Sequence, residues 1–223
     1  MNEEQHDDWN PLDASVLRDQ RQAYDEMRER CPVAHSEFLG WSLFRHEDIA
    51  GVLADTQTYS NESRFMAIPN GMDPPAHGRY REALDSNFDP QQMASAEPRA
   101  REIAQTLLKS ALHIGEMEFI DDFAIPFALK TLCALLGWPE HQWECLSGWV
   151  HGSQQASFNN DPAAGKDLAI RFSEQVKANL STHRAYPNEV ADTTDVLLCT
   201  EVDGVRLEDD QIVSILRNWT AGH

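Results

Sequence analysis

Apolar residues recur at helical spacing along most of this chain, and one short segment breaks the pattern. Between Ser15 and Arg30, Ala23, Tyr24 and Met27 share a face while charges cover the rest, as in an amphipathic helix. Cys31-Pro32 ends it, because the residue before a proline is pushed out of the helical region. Phe38-Leu39-Gly40-Trp41-Ser42-Leu43-Phe44 is aromatic and apolar around a glycine; it predicts a hairpin over 33–44. Ile49, Val52 and Leu53 then predict a short helix over 46–54, and 56–72 reads as a loop.

Helical spacing dominates the rest. Asp89-Pro90 opens a helix that Pro98 bends or splits, with Ile103, Leu107, Leu108 and Ala111 as its core stripe. Met117 to Ile120 predicts a short strand. Asp122 to Leu136 is an apolar helix stopped by Gly137-Trp138-Pro139, and 139–151 is a further helix. Asp161-Pro162 starts a long helix to about His183. Val196 to Cys199 is a short one, and Asp203-Gly204 is a turn. The last segment carries acids in its first turn, where the helix dipole favours them, and a stripe of Ile212, Ile215, Leu216 and Trp219.

The stretch from Asn70 to Phe88 has the most chemistry. Asn70-Gly71 is a turn, Asp73 is placed to cap a helix, and Pro74 and Pro75 suit its first turn. His77, Arg81, Leu84 and Phe88 then share one helical face. Donors lie at its start and apolar groups further along, which suits a ligand with acidic groups on one edge and a greasy body. A solvated face with the Arg stem laid over apolar neighbours accounts for the same spacing.

Composition narrows the class. The chain has 223 residues, 41% of them apolar and 25% charged, as in a globular protein with a sizeable core. A net charge of −19 argues against a general binder of nucleic acid or anionic membranes. No apolar run is long enough to span a membrane. The acidic start, Met-Asn-Glu-Glu-Gln-His-Asp-Asp-Trp, lacks a signal peptide's basic and apolar regions, so a cytoplasmic protein is expected. Cys31, Cys133, Cys145 and Cys199 are scattered, and reduced, buried thiols are the expectation. The histidines include no H-E-x-x-H cluster, so a metal hydrolase has little support and no metal ligand is nominated.

The string Met-Asp-Pro-Pro-x-His-x-x-Tyr-Arg, followed by Phe88-Asp89-Pro90 and Met93, resembles the helix C region of bacterial cytochromes P450. Leu135-Leu136-Gly137 with Pro139, and Ala221-Gly222 at the start of the Ala/Gly-Gly-x-Asp/Glu-Thr motif, resemble the same family in the same order. The resemblance implies a mainly α fold with a small β-sheet, the N-terminal half of a P450 up to the start of its central helix. One incomplete domain is expected over 1–223: an acidic arm (1–11), a first helix, hairpin and short helix (12–55), a substrate loop (56–72) and a helical body (73–223).

The resemblance also implies function. A haem-thiolate monooxygenase inserts one oxygen atom from O2 into a small or medium apolar organic substrate. Haem is the cofactor, and a ferredoxin or a flavin/iron–sulfur reductase is the electron donor. His77 and Arg81 would bind the haem propionates. Ala221 and Gly222 would lie on the oxygen side, within a lining segment from Asn218, and Arg79 is a candidate to face the donor, with an exposed, solvated side chain as the favoured competing role. Phe65, Met66, Ile68 and Trp219 are candidates to face substrate, with core plugging beneath the loop as the competing role of the first three. Phe158, Ile170, Phe172 and Val176 fall where the family roofs its active site. The Glu-x-x-Arg motif and the loop with the haem-ligating cysteine do not occur in these residues, and none of the four cysteines is nominated as iron ligand. A piece of a longer polypeptide is therefore expected. Ile-Pro-Asn-Gly-Met-Asp-Pro-Pro and Ile-Val-Ser-Ile-Leu-Arg-Asn-Trp-Thr are similar to P450s fused to a phthalate-dioxygenase-type reductase, although Ala-Gly-His departs from that subgroup's Val-Gly-Glu. The alternative is a non-catalytic helical module that binds an apolar ligand or a partner.

Overall fold

The first helical stretch is divided at Asp19 in the computed structural model, which describes residues 8–63, 65–189 and 191–221, the side chains of Ser110, Ala111 and Ile114 excepted. Contacts group the chain into two compact units, Met1–Ser60 and Asn61–His223. In the first, α1 (Ala14–Arg18) ends where Asp19 leaves helical backbone (φ −147°, ψ 82°), and α2 (Gln20–Arg30) begins with the Asp19 side chain accepting from Gln22 N. The single helix expected over 15–30 is thus two, because Asp19 is a better cap than an interior residue. β1 (Val33–Ser36) and β2 (Gly40–Leu43) pair antiparallel from Val33↔Leu43 to Ser36↔Gly40. Gly40 takes φ +70° at the turn, a value open to glycine. α3 (His46–Ala54) follows.

Trp9, Met27 and Ala34 form this unit's buried cluster. Asp8 is fastened by its backbone and side chain: its N–H donates to His35 O (3.0 Å) and its Oδ2 accepts from His35 N (2.8 Å).

The second unit is helical: α4 (Ala76–Asp85), α5 (Pro90–Ile114), α6 (Ile125–Leu135), α7 (Trp143–Phe158), α8 (Pro162–Ala185), α9 (Thr193–Cys199) and α10 (Asp209–Ala221). Pro98 sits inside α5 without splitting it, and Leu108, expected in the core stripe, is 43% exposed. The strand expected at 117–120 is instead the start of a π-helical turn, Phe119–Ala124. Glu118 and Asp122 cap that turn reciprocally: Glu118 Oε2 accepts from Asp121 N (2.7 Å) and Asp122 Oδ2 from Glu118 N (2.9 Å). A 3-10 turn, Glu140–Gln142, precedes α7. Asp161 caps α8 through Ala163 N (3.1 Å) and Ala164 N (3.0 Å). β3 (Glu201–Val202) and β4 (Val205–Arg206) close on the turn at Asp203-Gly204.

The core is organised on α10, where Ile212, Ile215 and Leu216 have no exposed surface. Leu129 and Cys133 of α6, Leu146 of α7, and Val176 and Leu180 of α8 belong to the same cluster. Gly137 ends the helical turn after α6 at φ +69°, and an added Cβ there would lie 1.6 Å from Asp192 Oδ2. Among the described residues no helix is long and apolar enough to cross a membrane.

Candidate functional site

α4 starts one turn after Asp73, and Asp73 does not cap it with its side chain. Its carboxylate accepts from Asn61 N (2.8 Å) instead, while its carbonyl accepts from His77 N (3.0 Å). The backbone role keeps Asp73 at the helix entry; the side chain ties down the start of the loop. Along α4 the faces divide. Leu84 is buried and Tyr80 packs against the main core. Gln211 Nε2 donates to the Tyr80 hydroxyl (2.7 Å), fixing α4 to the first turns of α10. Phe88, just past α4, meets Trp219 of α10 edge-on with ring centroids 5.1 Å apart.

The donors on α4 are used unequally. Arg79 pairs with Asp203 of the β3–β4 turn at 2.8 Å. Arg81 is exposed and, among the described residues, reaches only Asp85, at 4.0 Å. His77 is half-buried, and among the described residues its imidazole makes no hydrogen bond or ion pair. His77 and Arg81 are thus two donors one turn apart whose capacity is not filled by acceptors among the described residues.

The loop before α4 is held by α10. Ser214 Oγ accepts from Ile68 N (2.9 Å) and donates to Met66 O (2.9 Å). Asn218 Nδ2 donates to Ile68 O (2.8 Å), and the Arg217 guanidinium donates to Met66 O. Residues 214, 217 and 218 share one face of a helix, so three side chains give a three-residue stretch of loop the partners a neighbouring strand would. Burial pushes the Arg217 pKa down. Gly71 is needed beneath this loop, since a Cβ there would lie 2.7 Å from the Ser63 Cβ and 2.8 Å from the Ala67 Cβ.

Fixing this backbone sorts the loop's apolar residues. Ile68 is 3% exposed and belongs to the main core, whereas Phe65 is 79% and Met66 52% exposed. All three line a cleft of about 550 Å³ whose other walls include Ala76 and Tyr80 of α4 and Gln211 of α10. Trp219 is half-buried against Phe88 and is not in that lining. Ala221 is exposed at the end of α10, and Gly222 lies outside the described residues. In the expected roof, Phe172 and Val176 are buried in the core, while Phe158 and Ile170 are exposed.

The thiols divide differently from the expectation. Cys133 is buried, Cys31 half-buried, and Cys145 and Cys199 exposed; all are free. Burial, then the charge of Glu140, pushes the Cys133 thiol up to about 12, so it stays protonated and serves packing.

One cluster escapes any local motif. His183, Asp192 and Asp195 bring ligand atoms within 4.8 Å of one another. They are already engaged: His183 Nε2 faces Asp192 Oδ2 (3.0 Å) and Nδ1 faces Asn179 O (2.9 Å), while Asn188 Nδ2 donates to Asp192 Oδ2 (2.8 Å) and Asp195 Oδ2 (3.0 Å). Asp192 and Asp195 also form the capping box of α9. The group staples the end of α8 to the start of α9 beside a hollow of about 830 Å³. Only the i, i+3 acids of the capping box signal it in the sequence.

Haem is the cofactor implied by the sequence, and the residues present fit it. The half-buried His77 and exposed Arg81 are oriented by a helix that Tyr80 fixes to α10, and they offer donors suited to a pair of carboxylates.

Comparison with known proteins follows the same line. No family model matches the chain. It is 30% identical over 199 residues to the erythromycin C-12 hydroxylase of Saccharopolyspora erythraea, covering 83% of this chain and 49% of that protein. It is 29% identical over 208 residues to the cyclomarin C epoxidase of Salinispora arenicola, covering 85% and 52%. The chain spans about half the length of the curated relatives it matches. Among solved structures, a mutant of P450 EryK in complex with erythromycin B superposes with a TM-score of 0.75 at 26% identity, over 90% of this chain and 54% of that one. CalO2 gives 0.77 at 24%, over 96% and 58%. Bacterial cytochrome P450 homologues thus cover most of the chain, and its fold is the P450 fold over somewhat more than half its extent.

Proposed function

We propose that this chain forms the propionate-binding and oxygen-side part of a bacterial cytochrome P450 monooxygenase acting on a small or medium apolar organic substrate. The observation that carries the reading is the P450 match over 83–96% of the chain. The donor pair on α4 supports it.

In this reading His77 and Arg81 would donate to the haem propionates. Bound haem, with a thiolate from a part of the fold outside these residues, supplies the activation of O2. Phe65 and Met66 present apolar surface to the substrate and exclude water, and Ile68 anchors that wall in the core. Trp219, braced by Phe88, shapes the wall along α10. The small side chain of Ala221 would let that helix pass close to the cofactor. Electrons come from a ferredoxin or from a flavin/iron–sulfur reductase. Two stretches resemble reductase-fused P450s, while Ala-Gly-His departs from that subgroup. Arg79, held by Asp203, is less free to meet a donor than an unpaired cation.

The test is a haem titration followed by absorbance of the reduced, carbon-monoxide-exposed protein. A haem complex whose affinity falls about tenfold or more in H77L/R81L is the expected result. Equal affinity in the double variant would remove the propionate role. Failure to take up haem at all would favour a non-catalytic helical module.

A further inference from the structure

Arg217 is more deeply placed than its single contact requires. It is half-buried on α10, and its guanidinium donates to Met66 O. Among the described residues no carboxylate lies within ion-pair distance of it. A desolvated guanidinium is costly unless a negative partner offsets it, and its planar fork matches a carboxylate.

The same side chain lines a cavity of about 360 Å³ between α7 and the start of α8. Trp149, Ala156 and Ala169 give apolar wall, and Ser153 and Ser157 give hydroxyls. The Trp149 indole is 9% exposed, and its Nε1 is buried with no hydrogen-bond partner. Asp161 is the single acid in the lining. Its Oδ1 accepts from the Ala163 and Ala164 amides, and the positive end of α8 offsets its charge. Among the described residues, the cavity therefore has a cation lacking a counter-ion, beside an acid already committed to its helix.

We propose that this cavity binds a small monocarboxylate, with Arg217 as counter-charge and the Trp149 side as the wall for its apolar body. The proposal does not rest on the haem reading. It is tested by calorimetric titration of the protein with phenylacetate and with phenylacetamide, its neutral counterpart of nearly the same shape. Phenylacetate should bind about tenfold or more tighter than the amide. R217Q should bring phenylacetate to the amide's affinity and leave the amide within about twofold. R217K, which keeps the charge but not the fork, should fall between. S153L, which fills the cavity without altering Arg217, should weaken both ligands and serves where R217Q does not fold. The proposal is overturned if neither ligand binds, if both bind the wild type alike, or if the preference survives in R217Q. It is equally overturned if a folded R217Q loses both ligands in parallel, or if a folded S153L binds phenylacetate as the wild type does.

Discussion

α4 and α10 both carry motif residues, yet they use their polar side chains in opposite ways. On α10, Ser214 and Asn218 spend their donors on the backbone of 66–68, Arg217 spends one arm of its fork there, and Thr220 Oγ1 returns to Leu216 O (2.7 Å). On α4, Tyr80 and Arg79 are engaged by α10 and by the β3–β4 turn, while His77 and Arg81 are engaged by neither among the described residues. A polar group spent internally positions structure. One held in place without an internal partner is a candidate for binding. The contrast distinguishes the two roles where residue type does not.

Substitutions can break this comparison, beginning in the core of α10. Leu216→Ala removes a side chain with no exposed surface and should cost about 2–5 kcal/mol in urea unfolding. Gly137→Ala should come next, losing more than about 1 kcal/mol because a methyl cannot coexist with Asp192 and φ is +69°. Ser214→Ala leaves the Ile68 amide and Met66 carbonyl without this partner. It should cost about 1–3 kcal/mol and speed amide exchange at Ile68 ahead of that in the core of α10. Arg81→Ala sharpens the contrast from the other side: its thermal midpoint should imply a change within about 0.5 kcal/mol, while haem affinity falls. A stability loss as large as that of Ser214→Ala would make Arg81 structural.

The smallest effect concerns pH. The Arg184 guanidinium donates to Asp209 Oδ2 (3.1 Å) and holds that carboxyl below its usual range. A pKa depressed by folding stabilises above the unfolded value and ceases to do so as pH falls through the folded one. Wild type should therefore exceed Asp209→Asn by no more than about 0.5 kcal/mol near neutrality, since both partners are partly solvated. The gap should close as acid protonates Asp209.

Much of this was legible locally. The hairpin over 33–44, α3 and the Asp161-Pro162 start of α8 each rest on turn, cap or periodicity signals within a few residues. Ile212, Ile215 and Leu216 were readable as a stripe because a helix repeats its face. The break at Asp19 and the turn at 119–124 were missed because side chains there cap backbone in competition with the periodic pattern. The burial of Trp9 and the hold of Ser214 on 66–68 depend on residues far off in the chain. Apolar pattern alone also did not separate Ile68, in the core, from Met66, facing out. The donor pair on α4 was legible as spacing, but its lack of competing acceptors emerged only from the fold.

The grip of Ser214 on Ile68 spans 146 residues of sequence. Contacts that close so long a loop carry their entropy cost before any return, and they form late in folding. The loop at 66–68 therefore cannot take its final shape until α10 has docked. During synthesis, that wall of the cleft waits for the chain to be made well past it, and Ile68 should gain amide protection together with α10 and after α6 and α8.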